Sequence, residues 1–385
     1  MKIRIVQLSF WAFIFIFISC GESLKQNKQG YILNMENVLL QYKTEKLSFL
    51  SDSLDCVILE TTDSCLLAGK SYLFYADEQD LFVRSKDIIY RFDFNGHFLN
   101  SIGKKGNGPK EYTMLYSVSV DPIQECLLFY IGQKRVQYWD YDGTFRKEII
   151  LKDEGEITNA RLLDSNTVVA ENRLYLERGV QIAIHIFDSE GFLKRKIPIN
   201  EDTELVNIHM KTQPILYNRN GMIKYKDIND KVLYAVSNTI DSIQWIFDFG
   251  KYMPSRELLE DVSKKEILLK EYTQLVDIQE CKSDFYLLII YAHKLRGIVL
   301  DKETGFVKYN ELIDMPQRGG GIQNNFIDNT CFWPTFIDDN NIAYALLSKD
   351  RITTKGEKDI LSFSPKICTL MREDDNPVLI KVHLK

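Results

Sequence analysis

Apolar and polar residues alternate on both sides of an acidic turn with glycine at several places along the chain. The turns contain Gly96, Gly143 and Gly191, which are 47 and 48 residues apart. Alternation with period two predicts half-buried strands, and Asn-Gly, Asp-Gly or Glu-Gly between two strands predicts a tight hairpin, because the turn needs positive φ at glycine. The chain therefore repeats a strand–turn–strand unit every 47–48 residues.

Two weaker copies follow. One surrounds Gly305, 114 residues beyond the preceding turn glycine, and a unit without a glycine turn is predicted over residues 233–236 and 243–248. The extra length fits a short helix over residues 254–272, where Ser255 can cap the start and apolar residues fall near one face. The chain thus contains recognisable repeats and a short helical insertion near residues 254–272.

A period of about 40–50 residues with four short strands per unit is typical of a β-propeller, in which each blade buries its faces against its neighbours. The ring has to close, and strand-like segments for a sixth blade lie at residues 55–60, 342–346 and 378–384. The sequence predicts an all-β fold, a six-bladed β-propeller over residues 41–385 closed by N- and C-terminal strands. A five-bladed ring with an unrelated terminal sheet is the alternative.

The N-terminus has the layout of an export signal. Two basic residues precede an apolar run over residues 10–18, and Ser19 and Cys20 follow before the chain turns polar. The run is too short and too early for a comfortable membrane span. A small residue before cysteine resembles the cleavage site of bacterial lipoproteins, so we predict a signal peptide over residues 1–19, lipidation of Cys20 and a tether over residues 20–40. A plain secreted form or an uncleaved anchor is the alternative.

The charge balance argues against nucleic acid as a partner. The formal net charge is −6, and removal of the positive charges of Lys2 and Arg4 with the signal leaves −8. A nucleic-acid-binding protein would show a basic balance and clustered Lys and Arg, whereas the lysines here are spread along the chain. The predicted membrane contact is through the N-terminal lipid.

No motif indicates metal or cofactor chemistry. The five histidines are dispersed, without H-E-x-x-H or paired His/Cys spacing, and neither the P-loop pattern nor the G-x-S-x-G elbow occurs. The cysteines other than Cys20 are scattered without C-x-x-C spacing, so we predict no disulfide pair. We expect no metal and no cofactor. A binding protein is favoured over an enzyme because no residue can be named as catalytic.

One segment resembles a family signature. Residues 92–112, FDFNGHFLNSIGKKGNGPKEY, match the pattern F-D-x-x-G-x-F-x-x-x-I-G-x-x-G-x-G-P-G-E-Y of the NHL-like, six-bladed β-propeller lipoproteins of Bacteroides-type bacteria, and residues 57–62 and 328–334 fit the same family. The resemblance implies a cell-envelope propeller, at the outer membrane, with no settled reaction. Lys110 stands where the family has glycine. A loop of another shape is expected here if that glycine serves a positive-φ turn.

The loop over residues 103–112 is the first candidate ligand site. It would connect two blades beside the central channel, where glycines expose backbone N–H groups and lysines supply positive charge for an anion or a ligand carboxylate. The candidate ligand-binding residues are Lys104, Lys105, Asn107, Glu111 and Tyr112. The alternative is that glycine and proline only shape a tight crossover, with Tyr112 packed at the start of the next strand.

Trp333 is the second candidate. With Phe332 and Pro334 it could form a stacking platform for a sugar ring at the channel mouth, although a tryptophan beside proline at a strand start more often packs between blades. The acidic residues offer no comparable signal. Many, such as Asp93 and Asp188, stand in turns, where hydrogen bonding to the local backbone is reason enough.

Three functions stay open at this point. The protein is expected to be a binding or scaffold module for a glycan, peptide or envelope protein. The second possibility is a carbohydrate-active or lactone-cleaving hydrolase, whose carboxylates would converge on the channel from several blades. The third is an assembly subunit that docks through the helix predicted over residues 254–272. The first is favoured because the chain carries an anchor signal and a repeat but no catalytic motif.

Overall fold

The structure is a computed structural model, and it describes residues 30–153, 155–172, 176–177, 180–198, 214–227, 230–238, 241–255, 258, 262–316, 320–327, 330–348 and 374–385. The described helices are short, and β-strands in six antiparallel blades make up most of the structure. The all-β six-bladed β-propeller predicted from the repeat is therefore confirmed, and the five-bladed alternative is wrong.

Blades 1 to 3 follow one another along the chain, and each runs from an inner to an outer strand. Blade 1 consists of Tyr72–Ala76, Asp80–Ser85, Ile88–Asp93 and Phe98–Ile102. Blade 2 consists of Ser117–Asp121, Cys126–Tyr130, Arg135–Asp140 and Phe145–Ile150. Blade 3 consists of Ile157–Asp164, Thr167–Asn172, Val180–Asp188 and Leu193–Pro198, with the short strand Leu176–Glu177 paired to its third strand.

Blades 4 and 5 each gain a fifth strand from the N-terminal segment. Blade 4 consists of Ile215–Arg219, Met222–Lys226, Val232–Val236 and Asp241–Asp248. Blade 5 consists of Gln274–Glu280, Asp284–Tyr291, Lys294–Asp301 and Val307–Leu312. Strand Tyr31–Asn34 pairs in parallel with the outer strand of blade 4, and Lys43–Thr44 pairs antiparallel with the outer strand of blade 5.

Blade 6 is built from both ends of the described chain. Its strands, from inner to outer, are Phe336–Ile337, Ile342–Leu347, Val378–Leu384 and Ser51–Ile58. A small hairpin of Ile322–Asn324 and Thr330–Phe332 precedes it. Because the N-terminal strand covers the edge of the C-terminal strand, the third strand of this blade has partners on both sides.

Residues 30–50, here called the N-terminal strap, cross the outer edges of blades 4 and 5 on the way to blade 6. Its helices are Met35–Leu40 and Leu47–Leu50. Met35 and Val38 are 0% and 3% exposed, because the apolar residues of the strap pack against the cores of the two blades. The tether predicted over residues 20–40 is therefore corrected: residues 31–40 belong to the folded domain.

The repeated glycines stand in the turn between the third and fourth strands of blades 1 to 3. Gly96, Gly143 and Gly191 have φ of 90°, 87° and 80°, and each donates its N–H to the carbonyl of the aspartate three residues earlier, at 2.9–3.0 Å. Each turn also touches the outer strand of the preceding blade. A Cβ at position 191 would overlap the carbonyl oxygen of Ile150, so the position requires glycine for two reasons.

The helical insertion lies between blades 4 and 5. A 3₁₀ turn, Val262–Lys264, leads into the helix Lys265–Glu271. The carbonyl of Leu269 accepts the N–H of His293, in a hairpin turn of blade 5, at 3.2 Å. The helix therefore lies against that hairpin. Within the described part of the chain, none of the helices combines the length and hydrophobicity of a membrane span.

Candidate functional site

The loop over residues 103–112 connects blade 1 to blade 2 as predicted, and its charged side chains are paired. The Oε2 atom of Glu111 accepts the N–H of Gly108 at 2.7 Å, and Lys104 Nζ lies 2.8 Å from the other carboxylate oxygen. The hydrogen bond from Lys104 holds the pKa of Glu111 below its ordinary value. Lys105 pairs with Asp87 in a hairpin of blade 1. Contacts inside the fold therefore occupy all three charged candidates.

Tyr112 and Asn107 have opposite environments. Tyr112 is 2% exposed, donates its hydroxyl to the carbonyl of Asp87 at 2.6 Å and packs edge-on against Phe129. Burial raises the pKa of Tyr112. Asn107 is exposed at the tip of the loop. These contacts explain the crossover structurally, and ligand binding by this loop stays a prediction.

Lys110 adopts the conformation expected of the glycine it replaces. Its φ is 66°, so the loop keeps the positive-φ turn and the expectation of another loop shape is wrong. The ammonium lies 5.3 Å from the ring centroid of Phe145 in blade 2, a weak favourable contact. The backbone strain of a non-glycine residue in this region is about 1–2 kcal/mol.

Replacing Lys110 by glycine is expected to raise the free energy of unfolding by about 0.5–1 kcal/mol, because relief of that strain exceeds the added entropy of the unfolded chain. Urea unfolding measures the difference. Asn107→Gly in the same loop is the matched control, since Asn107 does not have positive φ, and it is expected to lower stability. Equal changes in the free energy of unfolding for the two substitutions would contradict backbone strain at Lys110.

Trp333 lies in the core between blades 5 and 6. It is 3% exposed, and its ring is 5.9 Å from that of Tyr286 and 6.5 Å from that of Tyr309. Its edge also lines the central channel. Among the described residues its Nε1 has no hydrogen-bond partner. The structure therefore gives Trp333 the packing role, and its use as a sugar platform stays a prediction.

The inner strands of all six blades surround a channel cavity of about 480 Å³, within the range of small-ligand sites. Half-buried aromatic side chains form much of its wall, including Tyr72, Phe74, Tyr217 and Phe336. The inner strands are close to one another only because the ring has closed. The cavity is therefore a product of the whole propeller.

Two charged groups of the channel have partners within the fold. Arg219 donates from Nη1 to the carbonyl of Ile337 at 3.1 Å and lies 3.2 Å from Asp339, so it ties blade 4 to blade 6 across one end of the channel. Glu280 is 2.9 Å from the ammonium of Lys302. These groups are compensated locally and fix the shape of the channel.

Arg161 lacks such a compensating charge. Its only described hydrogen bond is from Nη1 to the carbonyl of Val118 at 3.4 Å, and its buried Nε has no partner among the described residues. No carboxylate in the described part of the chain lies within ion-pair distance of it. Burial lowers the pKa of Arg161, yet a guanidinium stays charged in proteins. Among the described residues, the channel thus holds a positive charge that no carboxylate compensates.

Asp277 is the acid of the channel whose titration is most changed. Burial raises the pKa of its carboxyl to about 6, and its Oδ2 accepts a long hydrogen bond from Gln279 at 3.3 Å. Near neutral pH the group is mostly ionised. The cavity therefore contains both an unpaired cation and a weakly stabilised carboxylate.

The sequence analysis missed Arg161 and Asp277. A signal for the first was present, since Asn159 and Arg161 are polar residues at alternate positions of the first strand of a unit, and first strands line the channel of a propeller. Nothing local distinguishes Asp277. Its environment depends on strands from other blades.

A buried polar cluster in blade 3 contains one of the dispersed histidines. The side chain of His185 is fully buried and pairs with Asp153 in the connection before the blade. Asn172 donates to the same carboxylate at 2.9 Å. This contact fastens the connection to the sheet. Among the described residues no group of three His, Cys, Asp or Glu is arranged to hold a metal ion.

The acidic turn residues have the role that the sequence predicts. Asp93 accepts the N–H groups of Asn95 and His97 at 2.9 Å each, and Asp188 does the same for Glu190 and Phe192 at 3.1 and 2.9 Å. These carboxylates stabilise hairpin turns. They are therefore explained without any ligand.

Solved structures with the same fold come from Bacteroides. One, described as a "putative exported protein" of Bacteroides fragilis, is 19% identical with a TM-score of 0.72, covering 92% of this chain and 99% of that one. Another, a member of the duf4221 family from Bacteroides vulgatus, is 12% identical with a TM-score of 0.55, covering 90% and 99%. At these identities the likeness establishes the fold alone.

The curated proteins contain no match to this chain. Neither an NHL-like relationship nor lipid anchoring is tested by the similar structures, and both stay predictions. Residues 31–383, which include the strap and all six blades, match a single family. The chain therefore belongs to the family described as Domain of unknown function (DUF4934).

Proposed function

We propose that this protein is an exported, lipid-anchored binding module of the cell envelope, and that its central channel takes up a small ligand or the end of a glycan or peptide. The observation that carries the proposal is the channel cavity with the uncompensated charge of Arg161. A buried charge is costly unless it is paired. A ligand that supplies the missing partner would gain from that pairing.

Export and anchoring rest on the N-terminal sequence. The apolar run over residues 10–18 and the Ser19-Cys20 pair support cleavage before Cys20 and lipidation of its side chain. Cys20 and the predicted signal peptide lie outside the described residues, which begin at residue 30. The similar structure described as exported supports the same location, and an outer-membrane position is part of the proposal.

Binding is favoured over hydrolysis because the channel offers one acid with a suitable titration. Asp277 has a raised pKa, as a catalytic acid can have, but Glu280, the other acid of the wall, is paired with Lys302. A glycoside hydrolase of the common type needs two available carboxylates on opposite sides of the bond it cleaves. Turnover therefore stays the second candidate.

The binding function is tested with full-length protein purified in detergent and applied to arrays of charged and neutral oligosaccharides and peptides. Val276→Trp would place a large side chain in the channel, while Lys104→Ala with Asn107→Ala alters the loop over residues 103–112 instead. We expect the channel variant to lose at least tenfold in affinity and the loop variant to keep it. The reverse pattern would move the site to the loop, and an absence of any ligand would reject the function.

Lipidation is tested separately by Cys20→Ser in a Bacteroides-type host. The unchanged protein is expected in the membrane fraction and is expected to incorporate a labelled fatty acid, which the variant should not incorporate. Equal labelling of the two proteins, or no labelling of either, would contradict the anchor. That result would leave the channel proposal untouched.

A further inference from the structure

We infer that the channel ligand is a carboxylated sugar, of the uronic acid kind, whose carboxylate pairs with Arg161. This inference rests on the proposed binding function and specifies its ligand. Three features of the cavity lead to it: the charge of Arg161, the carboxylate of Asp277 in the same wall, and the mixture of aromatic and polar side chains around them.

The charge of Arg161 requires an anion. The guanidinium presents a planar fork of N–H donors that matches a carboxylate or phosphate with two parallel hydrogen bonds. Apart from one long contact to Val118, those donors have no described acceptor in the protein. The anion would therefore meet donors of Arg161 that have no other acceptor among the described residues.

The acids of the channel favour a ligand with a single negative charge. Asp277 lines the same cavity as Arg161, and near pH 7.5 its carboxyl is ionised because its raised pKa of about 6 still lies below that pH. Like charges disfavour one another in a partly desolvated site. A phosphate monoester carries close to two charges at this pH, so a carboxylate suits the site better.

The rest of the wall favours a hydroxylated body. Aromatic faces such as Tyr72 and Phe336 suit the apolar face of a sugar ring. Polar side chains of the wall, such as Asn218 and Gln279, lie beside these rings. Sugar hydroxyls can form hydrogen bonds with such amides, whereas the chain of an aliphatic carboxylate cannot.

The test measures binding of glucuronate, glucose and glucose 6-phosphate to the full-length protein in detergent at pH 7.5, by isothermal titration calorimetry. We expect glucuronate to bind at least tenfold more tightly than either of the others. Arg161→Gln should lower the affinity for glucuronate at least tenfold and leave the affinity for glucose unchanged. Arg161→Lys, which keeps the charge but not the planar fork, should retain part of it.

Arg135→Gln is the matched control, because Arg135 lies on blade 2 and is paired with Glu148 away from the channel. Thermal unfolding of each variant reports whether the fold is kept. Equal glucuronate affinity in Arg161→Gln and the unchanged protein, or tighter binding of glucose 6-phosphate, would overturn the inference. Failure of glucuronate to bind would also overturn it, while a different ligand on the arrays, still blocked by Val276→Trp, would leave the proposed function standing.

Discussion

A chain that begins at residue 61 is expected to be insoluble, whereas a chain that begins at residue 30 is expected to fold. The shorter chain lacks strand Ser51–Ile58, which pairs with Val378–Leu384 along the outer edge of blade 6. Leu379 and Val382, both 0% exposed, would lose part of their cover. The third strand would then present an open, apolar edge, which is a template for aggregation.

A third chain, beginning at residue 46, distinguishes the contribution of strand Ser51–Ile58 to stability from that of the N-terminal strap. It retains Ser51–Ile58 but lacks the helix Met35–Leu40, whose Met35 and Val38 are buried against blades 4 and 5. We therefore expect this chain to fold with reduced stability. Soluble yield, far-UV circular dichroism and the midpoint of thermal unfolding compare the three chains. A soluble chain from residue 61 with an unchanged midpoint would show that the outer strand is dispensable.

Gly191→Ala is expected to lower the free energy of unfolding by about 2–5 kcal/mol. The backbone at this position has φ of 80°, and an alanine there costs about 1–2 kcal/mol. The added Cβ would also overlap the carbonyl oxygen of Ile150 and lie 3.1 Å from its carbonyl carbon. Because both are main-chain atoms of blade 2, relief requires the two blades to move apart, at a cost of about 1–3 kcal/mol.

Two further glycines separate these contributions. Gly221 has φ of 67° but no atom within 4 Å of the place that an alanine methyl group would take, so Gly221→Ala should lose only about 1 kcal/mol. Gly69 has neither constraint, and Gly69→Ala should stay within about 0.5 kcal/mol of the unchanged protein. Urea unfolding of the three variants gives the order. If Gly191→Ala lowered the free energy of unfolding no more than Gly221→Ala, the contact between the two blades would not contribute as proposed.

The blades could be predicted because their signals are local. Glycine at positions 96, 143 and 191 marks a turn through φ alone, and alternation marks the strands beside it. Even blade 4, which lacks this glycine, was recognisable because its third and fourth strands, Val232–Val236 and Asp241–Asp248, still alternate. A segment of about ten residues therefore contains all that is needed to recognise such a hairpin.

The strap could not be predicted for the opposite reason. Strand Tyr31–Asn34 is apolar but carries no turn glycine or repeat that marks it as part of a blade. It is a strand because the edge of blade 4 offers it hydrogen-bond partners, with Tyr31 opposite Trp245. Lys110 was likewise misjudged, since the surrounding loop holds lysine in a conformation that its own preference opposes.

The channel site is the part of the protein least accessible to sequence reasoning. The candidates Lys104, Lys105 and Glu111 were chosen for their charge, yet each has a partner that tertiary structure supplies. Arg161 matters because it has none in the described structure, and the lack of a partner depends on which strands surround it. Residue type can suggest a site, but compensation of charge is a property of the closed ring.

The make-up of blade 6 also bears on the time at which the channel forms. Its outer strand is among the first parts of the domain to be synthesised and its third strand is the last, so their pairing has to wait for the whole chain. Contacts between such distant segments form slowly. An exported chain would therefore cross the membrane before its ring could close, and the channel would exist only after translocation was complete.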